Sequence, residues 1–435
     1  MKTSRFFLNF VGLQNKKMHD TILFINIAQL VNVREKNELL RGAALAHLPI
    51  LEDAYLLIEN DLIAGYGKMY ELEINIPHLP KNVVDVSGQF VLPCWCDSHT
   101  HIVFAGSREN EFIDKLQGLS YAEIAAKGGG ILNSANKLNE TPEDELYSNA
   151  LKRINEVSAL GTGAIEIKSG YGLSVEGELK MLRVIKRLKE NTDLIIKATF
   201  LAAHTYPIEF KENHRGYIDL IKNEMLPVIA TEKLADYIDV FCETGFFSPE
   251  ETAEICEEGA IHGLKPKLHV NQLNSIGGIE VGIKHKAVSL DHLETLTANE
   301  IALLGEYNIC STLLPTAAFF LRMAYQPARK LIDAGAAVTL ASDYNPGSSP
   351  SGNMNFVTAL SCIQMKMLPE EVINAATING AYAMECEEET GSIMIGKRAD
   401  LIFTKKIPSL AYLFYSFSSN NIERVMIKGK WVGNK

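Results

Sequence analysis

Eight short apolar runs, spread between residues 91 and 345, constrain the fold of this chain more than any other feature. They read VLPCWCDSH, AIEIKSGYG, LIIKATFLAAH, YIDVFCET, PKLHVN, AVSLDHLE, NICSTLLPT and AVTLASDYN. Between many of them lie amphipathic helical patterns such as GELKMLRVIKRLKEN and PEETAEICEEGAIHG. Strands that are apolar on both faces, alternating with such helices, specify a parallel sheet covered on both sides. Eight of them in roughly 260 residues is the count and size of a closed (β/α)8 TIM-type barrel, an α/β fold. A doubly wound open sheet is the competitor, but no strand leads into a glycine-rich nucleotide fingerprint. The segment KGGG at 127–130 lacks the GK[ST] ending and the preceding strand of a phosphate loop, and reads as a flexible loop. The flanks have a different texture: TILFINIAQLVNV, AYLLIENDLIAGYG and NVVDVSGQFVLP at one end, ADLIFTKK and IERVMIKGKWV at the other. These strand-and-turn patterns predict a small β-sandwich assembled from both chain ends. The expected division is 18–92 plus 396–435 for that β unit and 93–395 for the barrel, with 1–17 a disordered extension.

A barrel of this kind carries its chemistry at the C-terminal ends of its strands, and the reactive residue types fall there. The first run ends in His99 and His101, the second in Lys168 and Tyr171, and the third in His204. The fifth ends in His269, the sixth in Asp291, His292 and Glu294, and the eighth in Asp343, Asn345 and Ser348. His-x-His on a strand puts both imidazoles on one face, because side chains alternate with a period of two. The apolar run FVLPCW ahead of this pair is read as the first barrel strand. With His269 and Asp343 arriving from other strands, His99, His101, His269 and Asp343 form a candidate metal site. Imidazole and carboxylate ligands suit Zn2+ or Fe2+, and an open position lets such an ion bring the pKa of bound water toward neutrality. The fourth run ends in Cys242 and Glu243 rather than in a lysine able to bridge two ions, so a single ion is expected.

His292 and His204 are not needed as ligands. Each is either a satisfied structural histidine or a group that hydrogen-bonds a carbonyl or oxyanion and shuttles protons. Asp343 can act as a base while touching the ion. Arg108 follows the second histidine by seven positions, in CDSHTHIVFAGSR at 96–108. An arginine there is either a solvated surface group or a two-pronged grip on a substrate carboxylate, and its place beside the histidines favours the grip. Lys168 is read as charge balance near the rim, outside the chemistry.

Composition excludes several classes of partner. A formal net charge of −11 is wrong for a nucleic-acid or anionic-membrane surface. No apolar run reaches the roughly 18 to 20 residues that span a bilayer. The seven cysteines are scattered through apolar segments without metal spacing, and Cys94 and Cys96 are too close for an ordinary disulfide. Buried thiols of that kind indicate a reducing compartment, and the cytoplasm is expected.

In chain order, SHTHIVFAGSRENEF, YAEIAAKGGGI, IEIKSGYGL, FLAAHTYP, KLHVNQL, SLDHLE, ASDYNPGSS and GKRADLIF resemble the imidazolonepropionases, a histidine-degradation family of the amidohydrolase superfamily. The resemblance runs from about residue 20 to the C-terminus. H-x-H alone marks only the superfamily, whereas HTHxVFAGSR with IKSGYGL and DYNPGS is specific to this family. It implies metal-dependent hydrolysis of 4-imidazolone-5-propanoate to N-formimidoyl-L-glutamate, with metal-bound hydroxide attacking the ring carbonyl. It further implies one Zn2+ or Fe ion held by His99, His101, His269 and Asp343, and a homodimer. The substrate contacts it implies are Arg108, Tyr121, Tyr171, His204, Gln272 and Ser348, with Asn345 and Gly347 helping to hold the product. His292 and His204 would then join Asp343 as catalytic groups. Position 272, in HVNQL, is Gln where some relatives carry Glu, and an amide cannot serve as a general base. The alternatives are a deaminase of a ring-nitrogen base, which would release ammonia, and a non-catalytic barrel, which would turn over nothing.

Overall fold

The computed structural model describes residues 21–119 and 129–433. The expected extension at 1–17 and the candidate Tyr121 lie outside the described residues. The chain first lays down β1 (Thr21–Val31), β2 (Ile50–Glu59), β3 (Leu62–Lys68), β4 (Asn82–Asp85) and β5 (Phe90–Pro93). In β1 the side-chain alternation breaks where Asn26 takes a left-handed φ of +59°, and the pairing with β2 shifts register between Phe24 and Ile27. A bulge of this sort bends the strand and lets β1 pair with β4 in its first half and β5 in its second.

The barrel strands follow: β6 (Trp95–Asp97), β7 (Thr162–Lys168), β8 (Ile195–Ala203), β9 (Tyr237–Cys242), β10 (Lys265–Val270), β11 (Ser289–His292), β12 (Cys310–Leu313) and β13 (Ala337–Leu340). They are parallel and ordered by sequence from β6 to β13. Every residue of β7, β9, β11, β12 and β13 is buried, which is why those runs are apolar on both faces. The connecting helices start where the sequence signals them. Ser174 caps Val175–Asn191 by accepting from the Gly177 amide, and Ser248 and Glu251 form a capping box ahead of Pro249–Ile261. The two ends of the barrel sheet meet just beyond the strands, where the Asp343 amide donates to the His99 carbonyl at 3.0 Å and the His101 amide to the Tyr344 carbonyl at 2.9 Å.

Three last strands, β14 (Leu401–Thr404), β15 (Ile422–Ile427) and β16 (Lys430–Trp431), return to the first sheet. β14 pairs antiparallel with β5, so the order is β16-β15-β14-β5-β1-β2-β3 with β4 beside β1. The small β unit from both chain ends is thus one continuous hydrogen-bonded path around a core that includes Phe24, Leu56, Val91, Leu401, Phe403 and Met426. One boundary differs from expectation. FVLPCW is not a single barrel strand: Phe90–Pro93 belongs to the small sheet and Trp95–Asp97 to the barrel. Burial makes both halves apolar, so the sequence carries no mark of the change of sheet.

Candidate active site

The C-terminal ends of the barrel strands surround a cavity of about 570 Å3. Among its lining residues are His101, Arg108, Tyr171, His204, His269, Gln272, His292, Asp343, Asn345, Gly347 and Ser348. Beneath it lies His99, fully buried. Ligand atoms of His99, His101 and His269 all fall within 4.8 Å of one another. Asp343 Oδ1 stands 3.5 Å from His99 Nε2 and 3.7 Å from His101 Nε2.

Two of these imidazoles are oriented from behind. His99 Nδ1 donates to Asp291 Oδ2 at 2.7 Å, and His269 Nδ1 donates to Asp239 Oδ2 at 2.8 Å. Each carboxylate commits the Nδ1 proton and leaves the Nε2 lone pair facing the cavity. His99 Nε2 then lies 3.3 Å from His101 Nε2, an approach that a cation between the lone pairs relieves. Burial holds all three imidazoles well below the usual histidine pKa; Lys168 adds to this at His99, His204 at His101 and His292 at His269. Neutral, converging imidazoles beside a carboxylate fit a divalent ion.

Asp343 takes a φ of +52°, and His292 and Leu293 take +85° and +64°. Such conformations cost about 1–3 kcal/mol each and persist where the surroundings over-determine them, commonly at active sites. Burial raises the Asp343 carboxyl to about 6, against the pull of His292, Asn345 and Ser348. Its Oδ2 accepts from Ser348 Oγ at 3.1 Å, and the Asn345 amide group donates to the Asp343 carbonyl at 2.7 Å. Asn345 Oδ1 in turn accepts from the amides of Gly347 and Ser348. His292 Nδ1 faces Glu294 Oε1 at 3.4 Å, and Gln326 donates to the same oxygen at 2.9 Å. Burial pulls the His292 pKa down, but Glu294, Asp343 and Asp291 together more than offset it and the pKa is raised. His204 behaves oppositely: burial lowers it to about 4, and its Nδ1 donates to the Gly170 carbonyl at 3.0 Å. Its Nε2 is therefore an acceptor, and its ring stacks on His101 at 5.4 Å.

Arg108 follows the histidine pair as the first residue ahead of the helix Glu109–Leu116. Its Nε donates to Ser134 Oγ at 2.8 Å, its guanidinium lies 5.6 Å from the Tyr171 ring, and its Nη2 is buried without a partner among the described residues. Tyr171 is buried, and its phenol pKa is raised.

Some residues went unrecognised in the sequence. Lys168 is no rim charge; it is fully buried and contacts Glu166, Asp239 and Asp291. Asp239, Glu166 and Lys267 were hidden inside apolar strand runs. The available signal was a charge two residues from another within a buried strand, since such charges are rarely tolerated unless paired. Ser134, 26 residues beyond Arg108, gave no local signal. Phe241 and Phe246 form an aromatic wall to the cavity, their rings 4.5 Å apart.

Comparison with known proteins gives the family. Residues 90–432 match the amidohydrolase family model. The chain is 56% identical to the imidazolonepropionase of Flavobacterium johnsoniae over 94% of its own length and 99% of that protein's. It is 53% identical to the imidazolonepropionase of Christiangramia forsetii, over 95% and 100% respectively. The solved structure of E. coli guanine deaminase superposes with a TM-score of 0.71 at 14% identity, covering 96% of this chain and 100% of that one. At that identity the likeness is one of fold.

Proposed function

The chain belongs to the amidohydrolase family and, within it, to the imidazolonepropionases, and on that premise we propose how its site opens an imidazolone ring. The protein is a hydrolase of histidine degradation, converting 4-imidazolone-5-propanoate to N-formimidoyl-L-glutamate. One observation carries the reading to named residues. Three neutral imidazoles and the Asp343 carboxylate converge at the floor of a cavity of about 570 Å3 whose wall offers the unpartnered Nη2 of Arg108.

His99, His101, His269 and Asp343 would hold one Zn2+ or Fe ion. When bound, the ion supplies Lewis acidity toward the ring carbonyl and acidifies a water. Phe241, the strand-four residue whose ring lies 5.9 Å from that of His269, offers no ligand for a second ion. Asp343, its second oxygen held by Ser348 at the cavity floor, takes the proton of the attacking water and is placed to return it to the departing ring nitrogen. His292, kept proton-rich by Glu294, donates to the oxyanion as it develops. His204 does not donate in its neutral form, because its proton is committed to Gly170; its Nε2 accepts from the ring N–H and orients the ring. Arg108 grips the propanoate tail through its free edge. Gln272, also on the wall, hydrogen-bonds the ring and takes no part in proton transfer. Tyr171, Asn345, Gly347 and Ser348 complete the enclosure, with Tyr121 assigned from the resemblance alone. In the same reading the enzyme is a cytoplasmic homodimer. Its cysteines are all free, and no helix among the described residues is long and apolar enough to cross a membrane.

The test supplies freshly generated imidazolonepropanoate to protein of known metal content, following loss of its ultraviolet absorbance and formation of N-formimidoyl-glutamate. Rapid conversion is expected, with kcat/KM reduced by about 10^3 or more in His269→Ala. Ammonia as the product would point instead to a deaminase. Metal at one equivalent with no turnover would put the role of Gln272 in doubt.

A further inference from the structure

Lys168 has no part in the chemistry just described, yet it occupies the centre of the barrel floor. Its side chain is fully buried, and its ammonium lies 2.7 Å from Glu166 Oε1, 2.8 Å from Asp239 Oδ2 and 3.4 Å from Asp291 Oδ2. An ammonium has three N–H donors, and three carboxylates surround this one. The oxygens involved are the informative detail. Asp239 Oδ2 also accepts from His269 Nδ1 at 2.8 Å, and Asp291 Oδ2 also accepts from His99 Nδ1 at 2.7 Å. A single chain of contacts therefore runs His99–Asp291–Lys168–Asp239–His269, crossing from β11 through β7 to β9 and β10.

We propose that Lys168 is a positioning residue that ties the two ligand-orienting carboxylates together, so that His99 and His269 are set for the ion as one unit. This rests on the metal-centre reading above and adds to it a coupling between two ligands on different strands. Each carboxylate oxygen is shared by a ring N–H on one side and the common ammonium on the other. Moving either carboxylate alone lengthens a contact to Lys168 inside a close-packed floor. The remaining anchors fix the node. Asp239 Oδ1 accepts from the His269 amide at 3.0 Å, Asp291 Oδ1 from Ser289 Oγ at 2.6 Å, and Glu166 Oε2 pairs with Lys267 Nζ at 2.8 Å. The Lys168 amide also donates to the carbonyl of Thr100, the residue between His99 and His101, at 2.8 Å. Burial pulls the lysine pKa down, but Asp239, Glu166 and Asp291 hold it above the ordinary range, so the ammonium persists.

The test measures affinity of the metal-stripped, full-length protein for Zn2+ by competition with a chromophoric chelator, with the visible spectrum of the Co2+ form as a report on ligand geometry. Loss of an outer partner of a metal-bound histidine typically weakens binding 10–100-fold. Asp239→Asn and Asp291→Asn are each expected to weaken Zn2+ about tenfold or more. Because either break already frees both histidines, the double variant should lose no more than about threefold beyond the weaker single. Lys168→Met should weaken binding as much as the double and shift the Co2+ spectrum. The coupling is overturned if the double variant loses the product of the two single effects, on the order of 100-fold or more. It is also overturned if a folded Lys168→Met protein binds Zn2+ like the parent. Should Lys168→Met fail to fold, the aspartate pair still decides, since neither variant removes the ammonium. A parent protein that refuses Zn2+ altogether overturns the metal-centre reading beneath the proposal, a result distinct from tight but additive binding.

Discussion

Gly347 lies against Arg108 so closely that a Cβ there would stand 2.5 Å from Nη1 of the guanidinium. The resemblance to the family assigns Gly347 to the product; the contact gives it another job, which is to leave room for the group that reads the substrate's charge. Arg108 is steered from two sides, by Ser134 at Nε and by the bare backbone of Gly347 at Nη1, with Nη2 left for a ligand. Gly347→Ala displaces the flexible end of a side chain rather than backbone, so the protein should melt within a few degrees of the parent. KM should rise about tenfold, the loss of one charge-assisted hydrogen bond, with a smaller change in kcat. An unchanged KM would mean that Arg108 does not touch substrate. Arg108 was legible because it follows the histidine pair in sequence. Ser134 was not, because nothing within a helix sequence announces that one hydroxyl will meet an arginine from a different loop.

The loops at the strand ends are held by side chains that the motifs pass over. After β7 the chain turns through SGYGL, with Gly170 at φ +105° and Gly172 packed so tightly that a Cβ would stand 2.2 Å from the Glu178 amide. Buried Glu178, on the next helix, accepts from the amides of Gly170, Gly172 and Leu173 at 3.1, 2.7 and 2.9 Å. Tyr171 sits inside that clasp. Glu178→Ala strands three backbone donors, and unfolding in urea should show a loss of about 3–5 kcal/mol. KM should rise as well, because the same loop carries Tyr171; destabilisation with unaltered KM would separate the clasp from the site. The eight strands themselves could be read because parallel strands buried on both faces leave continuous apolar runs. What could not be read was the partner of each charge embedded in those runs. Glu166 and Lys168 stand two apart on β7, but Asp239 looks like an isolated exception until β9 brings its carboxylate to 2.8 Å from the Lys168 ammonium.

Over the whole molecule, the two sheets were foreseeable from texture, but their paths were not, because the pairing of β5 with β14 joins residues some 300 positions apart that carry no mutual signal. The barrel's own closure has a consequence for the ion. Its ladder runs from β6 to β13, and the two ends meet through Ser342 and Asp97, with bonds of 2.9 and 2.6 Å, and through the backbone pairs of His99 with Asp343 and His101 with Tyr344. His99 and His101 lie on one side of that seam and Asp343 on the other. An ion held by all three would span the closure, so any opening of the seam must release it. Restoring Zn2+ to about 100 times its Kd adds about 2.7 kcal/mol against each such opening. Amide hydrogen exchange at 97–101 and 341–345 should then slow by up to about a hundredfold relative to metal-stripped protein. The β2–β3 hairpin of the small sheet can open with the ligands still together, and its exchange should not change. Equal slowing in both places would mean that the ion stabilises the chain only against global unfolding, and that the seam opens with its ligands still joined.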